Sequence, residues 1–396
     1  MNASEYARRR GRLQERLRAS GIDGFLVTQN VDMFYFTGSV FIGYVFIPAE
    51  GDPVSYVRRS FSRAKDECRA GAVAELGSLG RFREQLARDF PQVFEKTAPV
   101  IATEYDVLPV QVFERLQKAL PGVQWKDGSV LIREIRMIKS ADEIAILKKA
   151  GEAVDRTYER AFAGLKEGMK EIEWLAMMEY DLRLQGHIGI MRMRGYNQEL
   201  VTGMLTSGEA AAMPAFFDGP AGGQGLSPAF PLGAGWKTIK RNEPILVDVG
   251  CCFEGYYIDQ TRTAVIGELS DELNRAYRVS ELILEETEKR LKPGAVCEDL
   301  YEHALAVAGE EGLGAHFMGY GPDQVKFLGH GIGLEVDEFP VLARKFQYRL
   351  EPGMVIAIEP KFSFPGLGVV GIENSYAITE SGFEKLTVTR GGLIRL

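Results

Sequence analysis

The sequence predicts an α/β domain over residues 1–135, followed by an α+β domain over residues 136–396 that contains an internal pseudo-duplication. Three observations carry this. Before residue 135, strand-like runs alternate with helical stretches, the pattern of a small α/β unit. After it, a pair of helices leading to a hairpin occurs twice. Each of the two hairpins also holds two acidic residues in or beside apolar, strand-like sequence, where a bare carboxylate is costly.

The elements follow in chain order. In the first domain GFLVTQ, YVFIP and VIATE read as strands, and residues 4–19 and 107–120 as helices. The run Arg8, Arg9, Arg10 is expected on a solvated helix face. At the boundary Ser140 and Glu143 form an S-x-x-E capping box. Ile144, Leu147, Val154, Tyr158 and Phe162 then recur at helical spacing, and Gly164 is the expected stop. Helices near 141–163 and 171–185 precede strands near 188–205 and a hairpin over 244–266. Helices near 270–291 and 297–311 precede a second hairpin near 354–379. Gly255, and Gly366 with Gly368, supply the turns.

Composition bounds the function. A chain of 396 residues with 45% hydrophobic content can bury two cores. The net charge of −8 argues against a nucleic-acid partner. No run approaches the roughly 18 apolar residues of a membrane span, and the N-terminal segment has no apolar signal core. A cytoplasmic protein is therefore expected. Cys68, Cys251, Cys252 and Cys297 form no CxxC pair and are expected to be reduced thiols rather than zinc ligands.

Five residues carry the chemistry. Asp248 lies in ILVDVG and Asp259 in IDQTRT, eleven residues on; His330 lies in GHGIG; Glu359 lies in IAIEP and Glu373 in GIEN, fourteen residues on. Converging carboxylates repel one another, and a divalent cation is the simplest remedy. Hard oxygens with one imidazole suit Mn, Fe, Co or Zn.

With these five positions in order, and DQTRT, GHGIGLEV and IEPK around them, the second domain resembles the pita-bread metallopeptidases: methionine aminopeptidases, Xaa-Pro aminopeptidases and prolidases. The resemblance runs from KSADEI to the C-terminus. The first domain is similar to the N-terminal domain of prolidases and creatinase. The resemblance implies two divalent metal ions, manganese foremost, with cobalt, iron or zinc compatible. It implies that Asp248 chelates one ion alone, that Asp259 and Glu373 bridge, and that His330 and Glu359 complete the second. Glu359 would be the general base, beside His330 as a catalytic residue, and a bridging hydroxide the nucleophile. A homodimer is implied in the same way. Arg262 is expected to pair with a ligand carboxylate.

The sequence departs from that family at two substrate-handling histidines. Where a Pro-His pair is usual, it has Pro214-Ala215, and no histidine lies between 188 and 302. Where the family reads LEVHEFP, it reads LEVDEFP, with Asp337 in the histidine's place. Candidates for substrate contact are Asp337, His187, His316, and Arg192 with Arg194 on one strand face. His303 sits in a regular helix and is assigned to structure. The glycine- and proline-rich segment 219–235 is read as a pocket-lining loop. The leading function is hydrolysis of a C–N bond in a small peptide-like substrate of the Xaa-Pro type. The alternatives are an amidohydrolase or lyase acting on a small metabolite, and a binding pseudoenzyme.

Overall fold

The computed structural model describes residues 1–396. It divides into two compact units, Met1–Arg136 and Met137–Leu396. The first is built on a mixed six-stranded sheet: β1 (Gly24–Val27), β2 (Ile42–Pro48), β3 (Val54–Arg59), β4 (Ala72–Glu75), β5 (Val100–Thr103) and β6 (Gln124–Asp127), in the order β4-β3-β2-β1-β5-β6. β1 runs antiparallel to β2 and parallel to β5. Leu26, Phe46, Tyr56, Phe82, Ile101 and Leu116 share its core. The helices expected at 4–19 and 107–120 are Ala3–Ala19 and Val110–Ala119.

Arg9 departs from expectation, because it is fully buried rather than solvated. It falls on the helix face of Leu13 and Leu17, at spacings of four. Its Nε donates to Glu5 at 2.7 Å, Nη1 donates to the Tyr35 carbonyl at 2.8 Å, and the guanidinium lies over the Tyr35 ring. A buried cation held this way is fully compensated.

The second unit opens on helix Ala141–Gly164. Ser140 Oγ accepts from the Glu143 N–H and Glu143 Oε2 accepts from the Ser140 N–H, closing the capping box. Helix Glu171–Leu184 follows, then β7 (Gly203–Ser207), β8 (Ile245–Val249), β9 (Cys251–Phe253), β10 (Tyr256–Ile258) and β11 (Thr261–Val265). Helices Asp271–Glu288 and Cys297–Glu310 precede β12 (Phe327–Gly331), β13 (Glu338–Ala343), β14 (Val355–Ile358), β15 (Lys361–Phe364), β16 (Gly368–Gly371) and β17 (Asn374–Ile378). Short strands β18 (Phe383–Lys385) and β19 (Ile394–Arg395) complete the sheets.

The duplication is visible in the pairing. β8 pairs antiparallel with β7 and β11; β14 pairs antiparallel with β12 and β17. In each half the outer pair continues into a small two-stranded ribbon, β9–β10 or β15–β16. Tyr158 supports the first half, its hydroxyl donating to the Gln260 carbonyl at 2.6 Å and accepting from the Val249 N–H at 3.1 Å. Leu273, Tyr277, Ile283, Leu300, Ile356 and Tyr376 pack in the core beneath the second.

The strand expected near 188–205 begins only at Gly203. Gly189, Gly195 and Asn197 take positive φ, which interrupts an extended run. The long connection to β8 is irregular but anchored. Buried Glu171 accepts from the Ser207 N–H and hydroxyl and from the Gly235 N–H. No helix is long and apolar enough to cross a membrane.

Candidate metal centre

Equivalent places in the two halves supply the acids. Asp248 lies in β8, and Glu359 directly follows β14; Asp259 and Glu373 each lie just ahead of the return strand, β11 or β17. His330 comes from β12, paired with Ala357 of β14. Gly329 and Gly331 flank it because the strands close in there: a Cβ on Gly329 would lie 2.1 Å from the Ala357 carbonyl oxygen, and one on Gly331 would lie 2.1 Å from that of Phe339.

All five side chains converge as two groups sharing Glu373. Asp259, His330 and Glu373 offer ligand atoms within 4.8 Å of one another, and so do Asp248, Glu359 and Glu373. Asp259 Oδ1 and Glu373 Oε1 are sealed from solvent without a partner. Buried carboxylate oxygens are rarely left so, and the donor set fits a divalent cation. His330 Nδ1 donates to the Gly331 carbonyl at 3.0 Å and lies 3.3 Å from Asp337 Oδ1. That leaves Nε2, 3.7 Å from Glu359 Oε1, directed at the cluster as a possible ligand atom.

Burial dominates the electrostatics. It pushes Glu359 up to about 7, with Lys361 pulling the other way. Burial and the neighbouring Glu373 and Asp248 raise Asp259 well above the carboxylate range. Glu373 is raised by burial against the pull of Lys361. Burial pulls His330 down, but Asp337, Glu359 and Glu373 outweigh it and its pKa ends above the usual imidazole value.

Sequence reasoning passed over one member of this cluster. Lys361 is completely buried, and its Nζ donates to Asp248 Oδ2 at 2.8 Å, to Glu359 Oε2 at 2.5 Å and to Glu373 Oε2 at 3.5 Å. The signal was present: Lys361 lies two residues beyond Glu359 in extended chain, and that spacing returns a side chain to the same face.

The remaining candidates divide. Asp337 lines the cavity over the cluster, about 50 Å³, together with Thr202, Phe217, Gly219 and Phe327. His187 does not reach it; buried, it accepts from the Cys252 N–H through Nδ1 at 2.9 Å. His316 is taken up by stacking on Phe364, with Nδ1 donating to the Ser363 carbonyl. Arg192 and Arg194 do not share a strand face, because no strand forms there; buried Arg194 lies 3.6 Å from Glu335. Arg262 does not pair with a ligand carboxylate. Alternation along β11 turns it away from the face where Thr261 Oγ1 donates to Glu373 Oε2, and it caps the backbone carbonyls of Thr261, Glu373, Thr389 and Arg390 instead. Of the segment 219–235, the opening residues line cavities: Gly219 and Pro220 border both the small cavity and a neighbouring one of about 390 Å³, which also takes in Ala221, Gly222, Pro214, Ala215 and Tyr320.

Two related halves that bring four carboxylates and an imidazole together under one cavity define a metal-dependent hydrolase with the pita-bread fold. The chain belongs to metallopeptidase family M24, which matches residues 145–380, and residues 9–138 match the creatinase/prolidase N-terminal domain. An Xaa-Pro dipeptidase of Pyrococcus horikoshii is 29% identical over 380 residues, 95% of each chain. One from Lactobacillus delbrueckii subsp. lactis is 29% identical over 387 residues, 96% of each. The crystal structure of the prolidase from Pyrococcus horikoshii OT3 superposes with a TM-score of 0.81 at 27% identity, covering 98% of this chain and all of that one. The protein is a metallopeptidase-type hydrolase.

Proposed function

We propose that this chain is an Xaa-Pro dipeptidase that hydrolyses the amide bond of a small peptide with divalent metal bound in the cluster of Asp248, Asp259, His330, Glu359 and Glu373. The observation that carries this is the pair of sealed, partnerless oxygens on Asp259 and Glu373, facing a His330 whose tautomer leaves Nε2 open. Manganese is the proposed ion, in a cytoplasmic homodimer. When bound, the metal supplies Lewis acidity and an activated water at neutral pH.

The protein's own groups then divide the work. Glu359, at the wall of the cavity, is placed to take the proton of the attacking water and return it to the leaving amine. Asp337, partly exposed at the cavity wall, is an acceptor placed for the cationic amino terminus of a dipeptide. Phe217, Phe327 and Val336 give the cavity apolar walls that suit a proline ring. Dipeptidase relatives support a peptide substrate over a simple amide.

The test is hydrolysis of Xaa-Pro dipeptides, N-acetylated Xaa-Pro and simple amides, each with manganese and with chelator. Metal-dependent cleavage of the free dipeptides alone is expected. It should be slower than a prolidase's, since Ala215 and Asp337 cannot donate a hydrogen bond as histidine does. Cleavage of the amides with the dipeptides left intact would overturn the proposal.

A further inference from the structure

We propose that the Lys361 ammonium occupies one of the two cation positions of this centre, so that the chain binds a single divalent ion firmly, between Asp259, His330 and Glu373. The proposal rests on the metal-dependent reading above. The two ligand groups are treated differently by the chain. Every member of the Asp248, Glu359, Glu373 group already touches Lys361 Nζ. No ammonium or guanidinium bonds the unpartnered oxygens of the other group, Asp259 Oδ1 and Glu373 Oε1.

The lysine's place is built rather than incidental. Lys361 opens β15 and pairs with Gly371 of β16. A Cβ on Gly371 would come within 2.5 Å of Lys361 Cγ, so the glycine leaves room for the lysine stem. The side chain is fully buried, and the strand directs it back toward Glu359.

A divalent ion in the same group would need the same oxygens, at about 2.0–2.2 Å. It could not share them with an ammonium already within hydrogen-bonding distance, because like charges at that range repel strongly. A second ion therefore enters only when Lys361 is displaced.

The test counts ions. Protein stripped with chelator is titrated with MnCl2 by calorimetry, with metal content measured after gel filtration and the spin state read by electron paramagnetic resonance. Wild type is expected to take up one Mn2+ per chain, with the six-line spectrum of an isolated ion. Lys361→Met keeps most of the stem and removes the charge; it should bind two ions and show an exchange-coupled spectrum. Lys361→Gly should do the same. Two firmly bound ions in wild type, or one in both variants, overturns the assignment of Lys361 and leaves the metal reading standing. No firm Mn2+ in any of the three proteins overturns the metal reading itself. Wild-type stoichiometry decides even where a variant fails to fold.

Discussion

His330 takes its orientation from the Gly331 carbonyl, to which Nδ1 donates, and from Asp337, whose Oδ1 carboxylate charge lies 3.3 Å from the same nitrogen. Such outer partners typically set a metal ligand's affinity by about 10–100-fold. Asp337→Asn should therefore weaken Mn2+ binding by about 10-fold, read by calorimetry, with the fold unchanged by circular dichroism. Glu359→Gln should abolish dipeptide turnover while the protein stays folded; full activity would remove Glu359 from the chemistry. The raised acids also fix a pH dependence. Glu359 titrates near 7 in the folded chain against 4.5 in its ordinary state. Between those values the folded, metal-free protein holds more protons than the unfolded chain, so its stability falls as pH rises. Raised His330 acts in the same direction, since its contribution is lost as pH rises through its folded value. Metal needs the deprotonated acids. The rise in melting temperature on adding Mn2+ should thus grow from about pH 5 to about pH 7.5; a constant rise across that range would contradict the assignment.

At the scale of the element, His330 depends on how tightly β12 sits between β13 and β14. Gly329→Ala would push a methyl against the Ala357 carbonyl and shift the strand that carries the imidazole. The expected result is loss of most metal binding and a lower melting temperature, by about 1–3 kcal/mol of overpacking. Unchanged metal binding would mean that His330 is not held by this strand contact. The same scale shows what sequence could and could not convey. The hairpins, their turns and the capping box at Ser140 were legible because each depends on local spacing. The ends of β7 were not, since the positive φ values at Gly189, Gly195 and Asn197 break a run that otherwise alternates like a strand. The motif neighbours of Arg262 are ligands, which suggests a carboxylate partner for it, whereas its face is set by the parity of β11. Lys361 was legible in principle by parity with Glu359, but a lysine beside a carboxylate reads as an ordinary pair until the other acids are seen to converge on it.

At the scale of the whole second unit, Arg262 fastens the two halves and the C-terminal segment together. It donates to buried carbonyls at Glu373 and Thr389 and to buried Asn374 Oδ1, and to the partly buried carbonyl of Arg390. Arg262→Met would leave several of these acceptors unpaired, at about 1–3 kcal/mol each. Denaturant unfolding should show a large loss of stability that saturating Mn2+ does not restore; a loss under about 0.5 kcal/mol, the usual scale of surface substitutions, would show the clasp to be dispensable. The division of the acids between the halves has a consequence for how the protein is made. A chain emerging from the ribosome has Asp248 and Asp259 long before Glu359 and Glu373 exist to meet them, and neither half holds a complete ligand group. Ion capture is therefore a closing event of biogenesis. A stalled or truncated chain stays without metal, and metal content reports how much of a preparation has finished folding.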